Sequence, residues 1–238
     1  MALPKVNEVL NFTMTVPSTG KTVKYRPYLV KEEKVLLQAF ESKDVQACLR
    51  AISDTIDACL DPREDIKVAK LATFDIEYMF TQIRSKSVGE TSTILIACKD
   101  CDERNEYTID LEELKIEVNP QGNIVEVTDD IKVEMRYPTY EKLIDGKITE
   151  ASEGDLQSAL SILSASIVAV HTGSERIDAD KHTIDEMNDF LGSMTAQQLK
   201  KISEYLEEMP KLEHNAAFAC QKCEAVNELT LSGLSDFF

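Results

Sequence analysis

The 238-residue chain has no tryptophan, only 8 glycines and 7 prolines, and few basic residues. Scarce glycine and proline disfavour long disordered linkers. The 26 lysines and arginines are outnumbered by 43 aspartates and glutamates, which gives a formal net charge of −17. Such an acidic surface opposes binding to the phosphate backbone of nucleic acids and favours partners with basic patches. We therefore expect protein partners and no nucleic acid.

Long hydrophobic runs are also missing from the sequence. No stretch approaches the roughly 18 uninterrupted apolar residues of a membrane span. The first residues show neither a basic leader followed by an apolar run nor a small-residue cleavage site, so we expect no secretory signal. These absences predict a cytoplasmic protein with no membrane partner. In a reducing compartment, closely spaced cysteines are better interpreted as metal ligands than as disulfides.

Two cysteine pairs with the spacing C-x-x-C stand in matching sequences. The segment around Cys98 and Cys101 aligns without a gap on the segment around Cys220 and Cys223, at a constant offset of 122 residues. Each pair can supply two ligands of a tetrahedral zinc ion, and two pairs complete a four-thiolate site. Because no coordination position then stays open, such a zinc is structural. The sequence predicts a zinc-ribbon-like site formed by all four cysteines.

A redox pair, a disulfide and buried free thiols are the alternatives for these cysteines. A redox C-x-x-C opens a helix, whereas strand-like segments flank the first pair at Ile94–Ile96 and Tyr107–Ile109. The 118 residues between Cys101 and Cys220 exceed the usual zinc-ribbon separation, but two half-sites related by an internal repeat can face each other. A thiol redox protein and a zinc-ribbon adaptor that binds protein both stay open as functions.

Strand and turn patterns predict that each half of the chain opens with a β-hairpin. In the first half, strands at Phe12–Val16 and Val23–Tyr28 flank a turn. In the second half, a strand at Leu114–Val118 precedes the turn Asn119–Gly122, and Val133–Tyr140 supplies a further strand that ends at a proline. Both proline-terminated strands lead into helix starts.

Apolar residues at three-and-four spacing predict helices behind each hairpin. One helix spans Val45–Leu60, where Cys48 and Cys59 lie on the apolar face and behave as small hydrophobes. Another contains Ile76, Met79, Phe80 and Ile83, which precede the first cysteine pair. The second half repeats this arrangement with Leu156, Leu160, Leu163, Ile167 and Val170, then with Leu199 to Met209. Thr195 and Gln198 form a capping box ahead of this last helix.

Together these patterns predict an α+β fold built from two similar halves related by a pseudo-twofold axis. The N-terminal half covers residues 1–111 and the C-terminal half covers residues 112–238, each with a hairpin, helices and a strand–knuckle–strand element. The structural zinc joins the two halves into one unit.

No motif in the sequence predicts catalysis. Ser18–Thr22 imitates the end of a phosphate-binding loop, but Thr15 stands where that motif needs glycine, and a strand follows instead of a helix. The three histidines, His171, His182 and His214, lie far apart without a catalytic motif around them. We expect no enzyme, no catalytic residue and no small-molecule substrate. Phe237 and Phe238 close the chain, either as anchors for a partner or as cover for its own core.

The segment Phe12–Lys34 carries a resemblance to a known family. In it, a Pro-Ser-Thr-Gly-Lys hairpin leads to Arg-Pro-Tyr-Leu-Val-Lys-Glu-Glu-Lys, and acidic helices and a C-x-x-C knuckle follow. With these features the chain resembles the baseplate hub subunit or hub assembly protein family of T-even-type contractile-tailed bacteriophages.

The resemblance implies a non-enzymatic late protein that acts in the host cytoplasm when the tail baseplate hub is assembled. Such a protein binds other hub and tail proteins, and it either stays in the virion or leaves as an assembly chaperone. No catalytic residue carries over from the family. The zinc is inferred from Cys98, Cys101, Cys220 and Cys223 and not from the resemblance.

Overall fold

The computed structural model of the chain describes residues 12–116, 118, 122–145 and 156–237. Helices and several small antiparallel sheets together make a mixed α+β fold, as the sequence predicted. Contacts group residues 1–118 with 210–238 in a first unit, and residues 119–209 form a second unit. The last part of the chain, with the second cysteine pair, therefore belongs to the first unit. This grouping differs from a division into consecutive halves at residue 111.

The first unit begins with the predicted hairpin. Strand β1 (Phe12–Thr15) pairs antiparallel with β2 (Thr22–Tyr25) across a turn at residues 17–19. Gly20 ends the turn with φ of 67°, a left-handed conformation that costs glycine nothing. Strand β2, and not a helix, follows Lys21, so the loop is a hairpin turn as predicted.

Helices α1 (Val30–Ser42), α2 (Val45–Cys59) and α3 (Thr73–Ser87) follow this hairpin. Asp44 caps α2, because its carboxylate accepts a hydrogen bond from the backbone N–H of Ala47. The apolar positions predicted for α3 are all buried: Ile76, Met79, Phe80 and Ile83. Burial of this face against its neighbours, more than helix propensity, stabilises these helices.

Two more hairpins complete the first unit, and each carries a cysteine pair in its turn. Strand β3 (Thr91–Ala97) pairs with β4 (Arg104–Asp110), and β9 (Glu213–Ala219) pairs with β10 (Val226–Ser232). The short helix α8 (Leu234–Phe237) follows. One core cluster joins the two hairpins, with Ile96, Ile109, Leu111, Leu114, Leu212, Ala216, Leu231 and Phe237.

The end of the chain covers this core. Phe237 is fully buried in the cluster, and the hydroxyl of Ser92 donates a hydrogen bond of 2.5 Å to its carbonyl oxygen. Phe237 therefore packs into the core of the protein and is not an exposed anchor for a partner. Phe238 lies outside the described residues.

The second unit is built around a four-stranded antiparallel sheet with the order β5-β6-β7-β8. Its strands are β5 (Ile124–Glu126), β6 (Ile131–Met135), β7 (Ile167–Thr172) and β8 (Glu175–Asp178). Its helices are α4 (Tyr140–Ile144), α5 (Leu156–Ser166), α6 (Ile184–Gly192) and α7 (Ala196–Glu207). The capping box before α7 is confirmed, because the Thr195 hydroxyl accepts from the Gln198 N–H and the Gln198 side chain accepts from the Thr195 N–H.

Two predicted boundaries in the second half were wrong. Leu114–Ile116 and Val118 form no strand, and the first strand of the hairpin is β5 instead; the turn residues 119–121 lie outside the described residues. The helix predicted through Val170 ends at Ser166. The β-branched residues Ile167 and Val170 favour a strand, and the neighbouring strand β6 supplies the pairing that the helical period could not reveal.

Among the residues that the structure describes, no helix has both the length and the apolar character needed to span a membrane.

Candidate metal centre

The first cysteine pair lies in a tight turn between β3 and β4. The N–H of Cys98 donates to the carbonyl oxygen of Glu103 over 2.8 Å, and the N–H of Asp102 donates to the carbonyl oxygen of Cys98 over 3.0 Å. Asp102 closes the turn with φ of 56°, a left-handed conformation that aspartate tolerates better than most residues. These bonds aim the side chains of Cys98 and Cys101 to one side of the turn.

The second pair repeats this turn between β9 and β10. The N–H of Cys220 donates to Ala225 over 2.9 Å, the N–H of Glu224 donates to Cys220 over 3.0 Å, and Glu224 has φ of 60°. Each of these residues stands 122 positions after its counterpart in the first turn. The local sequence repeat is therefore also a repeat of backbone conformation.

The two turns bring all four predicted sulfur ligands together. Cys98 Sγ lies 3.7 Å from Cys223 Sγ, and Cys101 Sγ lies 3.6 Å from Cys220 Sγ. All four sulfur atoms fall within 4.8 Å of one another. A tetrahedral ion with metal–sulfur bonds of about 2.3 Å would hold its sulfurs about 3.8 Å apart. The separations fit such an ion and are far longer than the roughly 2.05 Å of a disulfide.

Backbone and side-chain N–H donors favour the thiolate form of two of these cysteines. Hydrogen bonds from the N–H of Asp100 and the amide of Asn227 hold the pKa of Cys98 below its ordinary value. The N–H groups of Cys223 and Lys222 lower the pKa of Cys220 to about 6. Thiolate is the form that binds metal, so these donors prepare the sulfurs as ligands.

The other two cysteines show why the cluster calls for a cation. The N–H of Glu103 favours the thiolate of Cys101, but hydrogen bonding with the Cys223 thiol, loss of water contact and the other adjacent thiols outweigh it and raise the pKa of Cys101 to about 12. The pKa of Cys223 is also raised. Four adjacent negative charges repel one another, and a divalent cation between them removes that obstacle. The cluster can hold a metal through four sulfurs, which leaves no position for a substrate.

Sequence reasoning gave no role to two asparagines that line this centre. Asn105 and Asn227 are both buried and lie against Cys220 and Cys98 respectively. The signal was present, because the two asparagines occupy equivalent positions in the aligned repeats.

The remaining candidate residues lie in other surroundings. Cys59 is fully buried, and burial raises its pKa to about 12. Cys48 is partly buried and donates its S–H to the carbonyl oxygen of Ala39. The three histidines pair with side chains outside the cysteine cluster: His171 with Glu134, His182 with Glu186, and His214 with Tyr107.

Helix α1 also borders an apolar groove within the first unit. The groove has a volume of about 640 Å³, and its lining includes Leu36, Leu37, Phe40, Phe80 and Val88. Leu37, Phe40 and Val88 each leave about half of their surface exposed to solvent.

These features define a mixed α+β protein with a four-cysteine centre suited to a structural metal. The chain matches the family model described as T4 bacteriophage base plate protein over residues 9–238, and it belongs to that family. No curated protein and no solved structure matches the chain.

Membership confirms the resemblance at the level of the phage baseplate. It indicates a structural protein of the phage tail whose partners are other phage structural proteins.

Proposed function

We propose that this protein is a non-enzymatic structural or assembly protein of the baseplate hub, stabilised by one structural zinc. The observation that carries the zinc is the cluster of four sulfurs within 4.8 Å, built from two turns of the same conformation. The family match supports the baseplate assignment. The hub itself rests on the resemblance of the segment Phe12–Lys34.

The zinc would be held by Cys98, Cys101, Cys220 and Cys223. As a closed four-thiolate ion it would supply cross-linking and charge neutralisation rather than Lewis-acid chemistry on a substrate. It would fasten the β3–β4 turn to the β9–β10 turn within the first unit. Function then lies in the surface that this clamp holds in shape.

The apolar groove beside α1 supports binding to another protein. Phe40 and Leu37 are exposed together on one helix, and grouped exposed apolar residues are typical of contact surfaces. The chain carries a net charge of −17, so the partner that fits best is a hub or tail protein with an apolar segment and basic flanks. We propose that this groove binds such a protein and that the contact forms in the host cytoplasm during assembly.

Metal analysis tests the zinc. Protein purified without chelator is expected to contain about one zinc per chain, and the Cys48→Ser variant, altered outside the cluster, should contain the same amount. A folded wild-type protein that contains no metal would refute the assignment.

Mass spectrometry of purified virions and of baseplate intermediates tests the role in the hub. The protein should accompany hub components in the intermediates, and its presence or absence in virions separates a resident subunit from an assembly chaperone. Absence from every tail-related fraction would contradict both.

Co-purification from infected cells tests the groove. Phe40→Glu should reduce recovery of baseplate proteins, whereas Gln38→Glu, the same charge change at another exposed position of α1, should not. Equal recovery with both variants would place the contact elsewhere.

A further inference from the structure

Asn105, at the second position of β4, reaches across to the opposite cysteine turn with both ends of its amide. Its Nδ2 donates to Cys220 Sγ over 3.7 Å, and its Oδ1 accepts from the backbone N–H of Gln221 over 2.9 Å. One side chain thus contacts both a sulfur and the backbone beside it.

Asn227, at the equivalent position of β10, makes the reciprocal contacts. Its Nδ2 donates to Cys98 Sγ over 3.5 Å, and its Oδ1 accepts from the N–H of Lys99 over 2.9 Å. Both asparagines are only 2% exposed. Each turn therefore supplies to the other the same pair of bonds that it receives.

A third contact fixes the orientation of each amide. Asn105 Nδ2 also donates to the carbonyl oxygen of Glu103 over 2.8 Å, and Asn227 Nδ2 donates to that of Ala225 over 3.0 Å. A reversed amide would set oxygen against carbonyl oxygen and N–H against N–H. The network thus assigns the donor end of both side chains to the sulfurs.

We propose that Asn105 and Asn227 are positioning residues of the metal centre, an inference that rests on the proposed structural metal. Each donates an N–H to a sulfur of the opposite turn, which orients that sulfur toward the other three. Each also ties the backbone of that turn, which sets the spacing between the two half-sites. Partners of this kind orient metal ligands, and their loss typically costs about 10- to 100-fold in affinity.

The substitutions Asn105→Asp and Asn227→Asp remove the two bonds that each Nδ2 donates, to the sulfur and to the carbonyl oxygen of Glu103 or Ala225, and keep the bond from the N–H of the opposite turn. Aspartate keeps an oxygen for the N–H of Gln221 or Lys99, but it turns a second oxygen toward the sulfur. Asn215→Asp is the matched control, because Asn215 lies on β9, is exposed, and undergoes the same change of charge.

Zinc affinity is measured by competition with a chromophoric chelator, and ligand electronics by the sulfur-to-metal charge-transfer band of the cobalt-loaded protein. Both buried variants should bind zinc about 10- to 100-fold more weakly and shift the cobalt band, while Asn215→Asp should match wild type. The band reports on the sulfurs directly, so a loss of packing that leaves the sulfurs in place would not move it.

The outcomes separate this inference from the proposed function. A wild type that binds no metal overturns both. A wild type that binds zinc, with buried variants of unchanged affinity and unchanged cobalt band, overturns only the asparagine role. If the aspartate variants fail to fold, Asn105→Ala and Asn227→Ala repeat both measurements without an added charge, with the same expected and opposing results.

Discussion

Removal of one proposed sulfur ligand gives the sharpest quantitative test of the proposed metal centre. Cys223 is the choice, because it is the exposed member of the four and its change to serine opens no core cavity. A metal bridge between Cys101 and Cys220 closes a loop of 118 intervening residues. By the loop-entropy estimate, a cross-link over about 100 residues contributes about 4 to 5 kcal/mol, and this is an upper value because three ligands remain.

The assay is chemical unfolding of zinc-loaded wild type, Cys223→Ser and Cys48→Ser, each with and without chelator. Chelator should lower the free energy of unfolding of wild type and Cys48→Ser by up to about 4 to 5 kcal/mol. The midpoint of thermal unfolding should fall by up to about 8 to 20 °C. In Cys223→Ser, chelator should have a smaller effect than in wild type, because the substitution has already removed part of the interaction that the chelator removes.

Two results would refute this reasoning. If chelator leaves wild type unchanged while Cys223→Ser loses stability, the cysteine acts by packing and not through a metal. If Cys48→Ser loses as much as Cys223→Ser, the effect is not specific to the four-sulfur centre.

Three further changes test other parts of the first unit. Asp75→Ala should lower the free energy of unfolding, measured in urea, by about 2 to 4 kcal/mol. The reason is that this fully buried carboxylate accepts hydrogen bonds from the N–H and hydroxyl of Ser18 and from the N–H of Ala72. Little or no loss of stability would contradict this role. Glu224→Gly should raise the free energy of unfolding by about 0.5 kcal/mol, because glycine adopts the φ of 60° found at Glu224 without steric cost. A loss of stability would contradict the left-handed turn. Burial opposes ionisation of Glu32, but bonds from Arg26 and the Leu29 N–H outweigh it and lower its pKa. The stability that Glu32 contributes is thus present above its unfolded pKa of about 4.3 and is lost as the pH falls through the lower folded pKa. Glu32→Gln should therefore flatten the dependence of the free energy of unfolding on pH in this range. An unchanged pH dependence would contradict this role.

Local features of the fold followed well from the sequence. The hairpin before Tyr25, the helix from Val45 and the capping box at Thr195 depend on residues within a few positions of one another. The cysteine turns belong to the same group, because strand alternation and the C-x-x-C spacing describe each turn by itself. The gap-free alignment of the two turns then made their meeting a reasonable expectation.

Features that depend on distant partners were not predictable in this way. Leu114 alternates like a strand residue but fills the core beside Leu212 and Leu231, far along the chain. Val170 continues a helical period, yet it pairs with Val133 in a sheet. Asn227 gains its role only from the opposite turn, because its bonds to Cys98 and Lys99 cross between hairpins.

The proposed metal centre joins parts of the first unit that lie far apart in sequence. Residues 119–209 form the second unit and separate the two cysteine turns in sequence. Each turn is specified by its own hairpin, so joining them requires docking of two local structures and not a new backbone arrangement. That docking must overcome the entropy of a long loop, which the core cluster shared by the two hairpins and the reciprocal asparagine bonds offset in part. The proposed zinc would add a further contribution at one point. In a structural protein of the phage baseplate, such a clamp would make the contact surface depend on the whole chain and on the proposed metal.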